Sequence, residues 1–137
     1  MQMENPALKI TLFFLIACFM SGCVSMQNLT IDDLKKPENL RREKIYSLRI
    51  QKIQKAIFEY SEKCGLIEKI IIDPENSKYG KIAISTMGLT QLNVGTLIEF
   101  HEKEDQTEVK VWSFHEHWTK IQADKILGAI ENPKTCR

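Results

Sequence analysis

The sequence predicts an α+β domain: a helix, a four-stranded antiparallel sheet and a second helix, forming a two-layer sandwich with both helices on one face. Three observations carry this. Apolar residues recur first with a helical period, then alternate with the two-residue period of strands, then return to the helical period near the C-terminus. Elements in that order, without βαβ alternation, favour an antiparallel sheet with its helices segregated to one side. The chain has 137 residues, of which 43% are hydrophobic, which suits one domain with its own core.

Residues 24–40 are polar with scattered apolar positions and a break at Pro37, and read as a tether with one short helical turn at Thr30 to Leu34. From about Asn39 to Cys64, the residues Tyr46, Ile50, Ile53, Ile57, Tyr60 and Cys64 recur at steps of four and three, the stripe of an amphipathic helix. Gly65 suits a left-handed cap that ends this helix. Leu66 to Ile72 is rich in β-branched residues, Asp73-Pro74-Glu75-Asn76 is a turn signal, and Lys81 to Met87 alternates, so two strands form a hairpin. Thr96 to Lys103 and Glu108 to His115 form a second pair around the charged link Glu104-Asp105-Gln106-Thr107. Thr119-Lys120-Ile121-Gln122 matches a capping box, and Asp124 favours the positive end of a helix dipole. The last helix therefore starts there, presents Ala123, Ile126, Leu127 and Ile130, and runs to Pro133.

The N-terminus has a different character. Met1 to Lys9 is a short polar start, and Ile10 to Met20 is an uninterrupted apolar run that ends at Ser21-Gly22. Crossing a membrane takes about 20 apolar residues, so the run reads as the core of a secretory signal and not as a permanent anchor. The segment Met20-Ser21-Gly22-Cys23 resembles the lipobox of bacterial lipoproteins, with small residues at the two positions before the cysteine and Met20 where Leu is usual. The resemblance covers the leader alone. It implies that Cys23 receives a diacylglycerol, that a peptidase cuts after Gly22, and that the new amino group is acylated, palmitate being a typical chain. Multiple acyl chains give stable anchoring. Residues 1–22 are then the signal peptide, 23–40 a lipidated tether and 41–137 a single domain. In the family an Asp directly after the cysteine retains the protein at the inner membrane; Val24 stands here, which implies an outer-membrane location facing the periplasm. The alternative, an ordinary signal peptide, leaves Cys23 as an odd thiol in a secreted protein.

Cys18 falls in the leader and Cys23 at its end, so Cys64 and Cys136 are the two that can bridge. In an oxidising compartment pairing is the default, and a bridge would clasp the ends of both helices.

The balance of 19 Lys plus Arg against 18 Asp plus Glu gives no basic excess for phosphates, so nucleic acid is not an expected partner. His115-Glu116-His117 is the best candidate for a metal, since alternate residues on a strand point the same way, but it is a weak one. His101 lies near the turn of the hairpin and His115 at its far end, about 16 Å away, too far for shared coordination. Neither histidine pattern matches His-Glu-x-x-His, no Gly-x-Ser-x-Gly elbow occurs, and Gly80, Gly88 and Gly95 are too scattered for a phosphate loop. Cys64 at a helix C-terminus would be a poor nucleophile. No cofactor and no catalytic residue is expected.

On the last strand Val109 and Val111 point one way and Trp112 and Phe114 the other. Either a loop covers the second face, or Trp112 and Phe114, with Trp118 nearby, form a docking patch for another protein. The expected function is a non-enzymatic lipoprotein of the bacterial envelope, tied to the membrane through Cys23. Its domain would bind another envelope protein as an assembly factor or as an inhibitor of immunity type. The rivals are an envelope enzyme acting on peptidoglycan or lipid around His115 and His117, and a ligand-binding module with a roomy apolar cavity.

Overall fold

The computed structural model describes residues 29–66, 68–87 and 92–136. The leader, including Cys23, lies outside the described residues. In chain order the elements are α1 (Ile31–Leu34), a 3-10 turn (Pro37–Asn39), β1 (Leu40–Tyr46), α2 (Ile50–Cys64), β2 (Ile71–Ile72), β3 (Tyr79–Met87), β4 (Leu92–Lys103), β5 (Gln106–Ser113), α3 (Glu116–Trp118), a π-helical segment (Thr119–Ala123) and α4 (Asp124–Glu131).

The α+β class holds, but among the described residues the sheet has five strands where four were expected. All neighbours are antiparallel, in the order β1-β5-β4-β3-β2. The additional strand is β1, in a segment expected as the end of a tether and the beginning of a helix. It pairs with β5 from Leu40 opposite Trp112 to Tyr46 opposite Thr107, with an irregularity between Leu40 and Arg42. The helix expected from Asn39 accordingly starts at Ile50, after Arg49 as its cap residue. The expected strand over Leu66 to Ile72 shrinks to Ile71–Ile72.

The stripe of α2 is as expected from Ile50 onward: Ile50, Ile53, Ile57 and Tyr60 are buried, and Gly65 ends the helix at a φ of 71°. These residues pack with Ile82 and Ile84 of β3, Ile98 and Phe100 of β4, Val109 and Val111 of β5, and Ala123, Ile126, Leu127 and Ile130 of the C-terminal helical run. Both α2 and α4 thus cover one face of the sheet. Gly80 sits where a Cβ would lie 2.7 Å from Ile70 Cγ2, so the close approach of that segment to β3 requires glycine.

The capping box expected at Thr119 does not form. The helical run already starts at Glu116, and the Thr119 hydroxyl donates back to the His115 carbonyl at 3.4 Å. Gln122 is engaged with the sheet instead, accepting from the Thr96 hydroxyl at 3.2 Å, while Thr96 and Ser113 share a hydroxyl contact of 3.0 Å. Cys64 and Cys136 form a disulfide, their Cα atoms 5.4 Å apart, joining the end of α2 to the segment after α4. No helix among the described residues is long and apolar enough to cross a membrane.

The β4–β5 hairpin turns through Glu104 and Asp105, since Lys103 pairs with Gln106. Glu104 takes a φ of 58°, a left-handed conformation that costs a side-chain-bearing residue about 1 to 2 kcal/mol. Replacing Glu104 by Gly should raise stability by about 0.5 kcal/mol once the extra chain entropy of glycine is subtracted, and thermal denaturation would read this as a rise of about 3 °C. A fall in melting temperature would mean that the Glu104 side chain stabilises the turn in its own right.

Candidate functional site

The strand alternation that buries Ile98 and Phe100 against the helices turns Leu97, Glu99 and His101 to the opposite, outer face. The registers place three rows across that face. Tyr79, His101, Glu108 and Ile45 form one, Lys81, Glu99, Lys110 and Glu43 the next, and Ala83, Leu97 and Trp112 the third. The middle row alternates in sign, and Lys110 pairs with Glu43 at 3.2 Å and with Glu108 at 3.3 Å.

Only part of this face is covered. The cover is α1, whose start is fixed by a capping box between Thr30 and Asp33. The Asp33 carboxyl is lowered to about 2 by its hydrogen bond with Lys36 and those with the Thr30 amide and hydroxyl. Leu34 is fully buried, as is Leu97, and both stand apart from the main core. Asn39 donates to the Asp33 carbonyl at 3.0 Å, and Arg41 donates to the carbonyls of Ser113 and Phe114 at 2.9 and 3.0 Å. From Thr30 onward, the stretch expected as tether is packed on the sheet.

Glu99 ties this cover down. Its side chain is only 6% exposed, yet it accepts from Lys35 Nζ at 2.9 Å, from the Tyr79 hydroxyl at 2.9 Å and from the Trp112 indole at 3.1 Å. Burial alone would raise its pKa; the hydrogen bonds from Lys35 and Tyr79, with the Lys35 charge and the Trp112 N–H, reverse that and hold it below the ordinary carboxylate range. Tyr79 is pushed up to about 12 by burial and by its bond to Glu99. A second buried carboxylate, Glu102, faces the helices and caps α2. It accepts from the Ile50 amide at 2.9 Å and from Arg49 at 3.2 Å, and these lower its pKa, the backbone bond most. Among the described residues no buried side-chain N or O atom lacks a hydrogen-bond partner.

Beyond α1 the outer face is open. Ile45 is 68% exposed and Ile71 is 62% exposed, on the strands at the two edges, with Tyr79 and His101 half-buried between them and their rings 4.7 Å apart. These four residues were not expected as site residues. A strand at residues 40–46 was the missing signal, because without it Ile45 has no place on the face.

Of the residues that were expected, Trp112 lies on this face, half-buried, with its indole committed to Glu99. Phe114, just beyond β5, is half-buried, and its amide donates to the Gly95 carbonyl. Trp118 sits in α3 with the His115 ring edge-on at 4.5 Å. His115 and His117 do not share a strand face, because β5 ends at Ser113 and residues 116–118 are helical. Glu116 between them is held by Arg42 Nη2, which lies 2.6 Å from Glu116 and 3.1 Å from Asp124. No group of three His, Cys, Asp or Glu side chains able to hold a metal occurs among the described residues. On the helix side, a groove of about 420 Å³ is lined by Ile57 and Phe58 of α2 and by Leu66 and Ile70.

No protein-family model matches the chain, and no curated protein is significantly similar to it.

Proposed function

We propose that the chain is the precursor of a bacterial lipoprotein, anchored on an envelope membrane through lipid on Cys23, and that its domain binds another envelope protein without catalysis. The observation that carries the anchoring is the sequence Met20-Ser21-Gly22-Cys23 after an apolar run. The Cys64–Cys136 disulfide supports export, since such bridges persist in oxidising compartments. Val24 after the cysteine supports the outer membrane, on its periplasmic side. Cys23→Ala is the test: the wild type should fractionate with membranes and the variant should not, and a variant that remains on membranes would refute the anchor.

What supports binding is the open part of the outer face. Exposed Ile45 and Ile71 flank the half-buried rings of Tyr79 and His101, and charges from Lys81, Lys110 and Glu43 rim them. Apolar groups within a charged rim suit a protein interface. Trp112 supports this face from its place beside Glu99, and Phe114 and Trp118 extend the contact past the end of β5. Ile45→Asp combined with Ile71→Asp should leave the melting temperature within about 6 °C, because exposed positions contribute within about 0.5 kcal/mol each. The same double variant should abolish crosslinking to envelope proteins in intact cells. Unchanged crosslinking with the fold intact would move the binding surface elsewhere.

A further inference from the structure

Packing of residues 30–40 onto the sheet leaves little free lead between the lipid and the domain. Leu34 is fully buried, Lys35 is paired with Glu99, and Thr30 is locked into its capping box. Six peptide links separate Cys23 from Leu29, the residue before that box. Fully extended, they reach about 20 Å. A domain of this size measures about 30 Å across, so the lead is shorter than the body it holds. The first residues of the packed segment therefore stay within about 20 Å of the bilayer surface.

Those residues are apolar and uncovered. Leu29 is 44% exposed and Ile31 is 43% exposed, while Leu34 is fully buried. The charges around them nearly cancel: Asp32, Asp33 and Glu38 stand against Lys35 and Lys36, and Asp33 is already paired with Lys36 at 2.9 Å. Apolar side chains held at a membrane surface gain by entering the boundary between headgroups and acyl chains. We infer that Leu29 and Ile31 form a lipid contact, seating the α1 end of the domain on the bilayer that anchors Cys23. This rests on the lipoprotein reading and sets the α1 end of the outer face at the lipid, leaving the row of Tyr79, His101 and Ile45 farther along the sheet. The contact needs no anionic headgroup, because no net charge drives it.

The test uses the full chain carrying the photoreactive residue p-benzoylphenylalanine in place of Ile31 or, as the control, in place of Phe58, which is 57% exposed on α2 across the sheet. Both positions are exposed, so the fold should survive. Acylation is verified first by intact mass, and the acylated protein is irradiated in vesicles of phosphatidylcholine, or of phosphatidylethanolamine with phosphatidylglycerol. A phospholipid adduct at position 31 several-fold above that at position 58, in both vesicle types, is the expected result. Acylated protein that gives equal adducts at both positions, or crosslinks from position 31 only to protein, would overturn the seating and leave the lipoprotein reading intact. An unacylated product would overturn both.

Discussion

Replacing Cys64 and Cys136 by Ser should lower the stability of the domain by about 4 kcal/mol, because the bridge closes a long loop in the unfolded chain. The cysteines are 72 residues apart, and loop-closure entropy for that separation gives this magnitude. The bridge spans the sequence of β2 to β5 and of α4, so most of the sheet folds inside the loop. A loss of that size is a large part of the 5 to 15 kcal/mol available to an ordinary domain. Denaturant titration would show it as a lowered midpoint. A reducing agent should bring the wild type to the level of the variant and leave the variant unchanged. A midpoint shift worth less than about 1 kcal/mol would mean that the bridge holds two segments already fixed by packing, with little constraint on the unfolded chain.

The second large effect is expected at Glu99. Glu99→Ala removes the acceptor shared by Lys35, Tyr79 and Trp112, and leaves a partly buried hydroxyl and indole N–H without it. The cost should be about 2 kcal/mol, since Lys35 is 41% exposed and can return to water while the two aromatic donors cannot do so fully. Glu99→Gln keeps an acceptor but not the charge, and should cost about half as much. The dependence on pH follows from the lowered pKa of Glu99. A carboxyl lowered by folding contributes stability at pH values above its unfolded pKa, and that contribution fades as pH falls through the folded value. The wild type should therefore lead Glu99→Gln near neutrality and lose that lead below about pH 4.5, the ordinary glutamate value. A stability difference that stays constant from neutral pH into the acid range would show that Glu99 acts through shape alone. Loss of the Lys35 contact should also loosen α1, which hydrogen exchange at residues 31–35 would report.

Much of the fold was legible because its elements obey their own periods. Ile50, Ile53, Ile57 and Tyr60 follow the helical stripe, and Gly65 marks its end. Val109 and Val111 alternate toward the core, as a strand with one buried face must. The terminal run of Ile126, Leu127 and Ile130 was legible for the same reason, and the cysteine pair because Cys64 and Cys136 are the two left once Cys18 and Cys23 are assigned to the leader.

β1 was not legible, and the reason lies in its own residues. Leu40-Arg41-Arg42-Glu43-Lys44-Ile45-Tyr46 carries four charges in succession, so it shows neither apolar alternation nor an apolar stripe. On its helix-facing side stand Arg42 and Lys44, whose long stems reach Glu116, Asp124 and Glu131 in place of burying apolar groups. Inward-facing charges of this kind also blunt an exposed strand edge. Tyr46 stands four residues before Ile50, and that spacing imitates one more turn of α2. Leu34 was hidden in the same way, as a single buried residue in a polar stretch that packs on β4, where Lys35 pairs with Glu99 more than sixty positions later. The false capping box at Thr119 shows the converse. Its residue types fit, but Gln122 and Thr119 find partners in Thr96 and His115, and the helix enters earlier. The outer face could not be assembled from pattern alone, because its rows exist only once β1 is set beside β5.

The anchoring claim is tested most directly by the intact mass of the mature protein purified from bacterial membranes. The proposal predicts a chain that begins at Cys23, retains one disulfide and carries the added mass of a diacylglycerol and an amide-linked acyl chain. A chain that begins elsewhere, or begins at Cys23 with no added lipid, would contradict it.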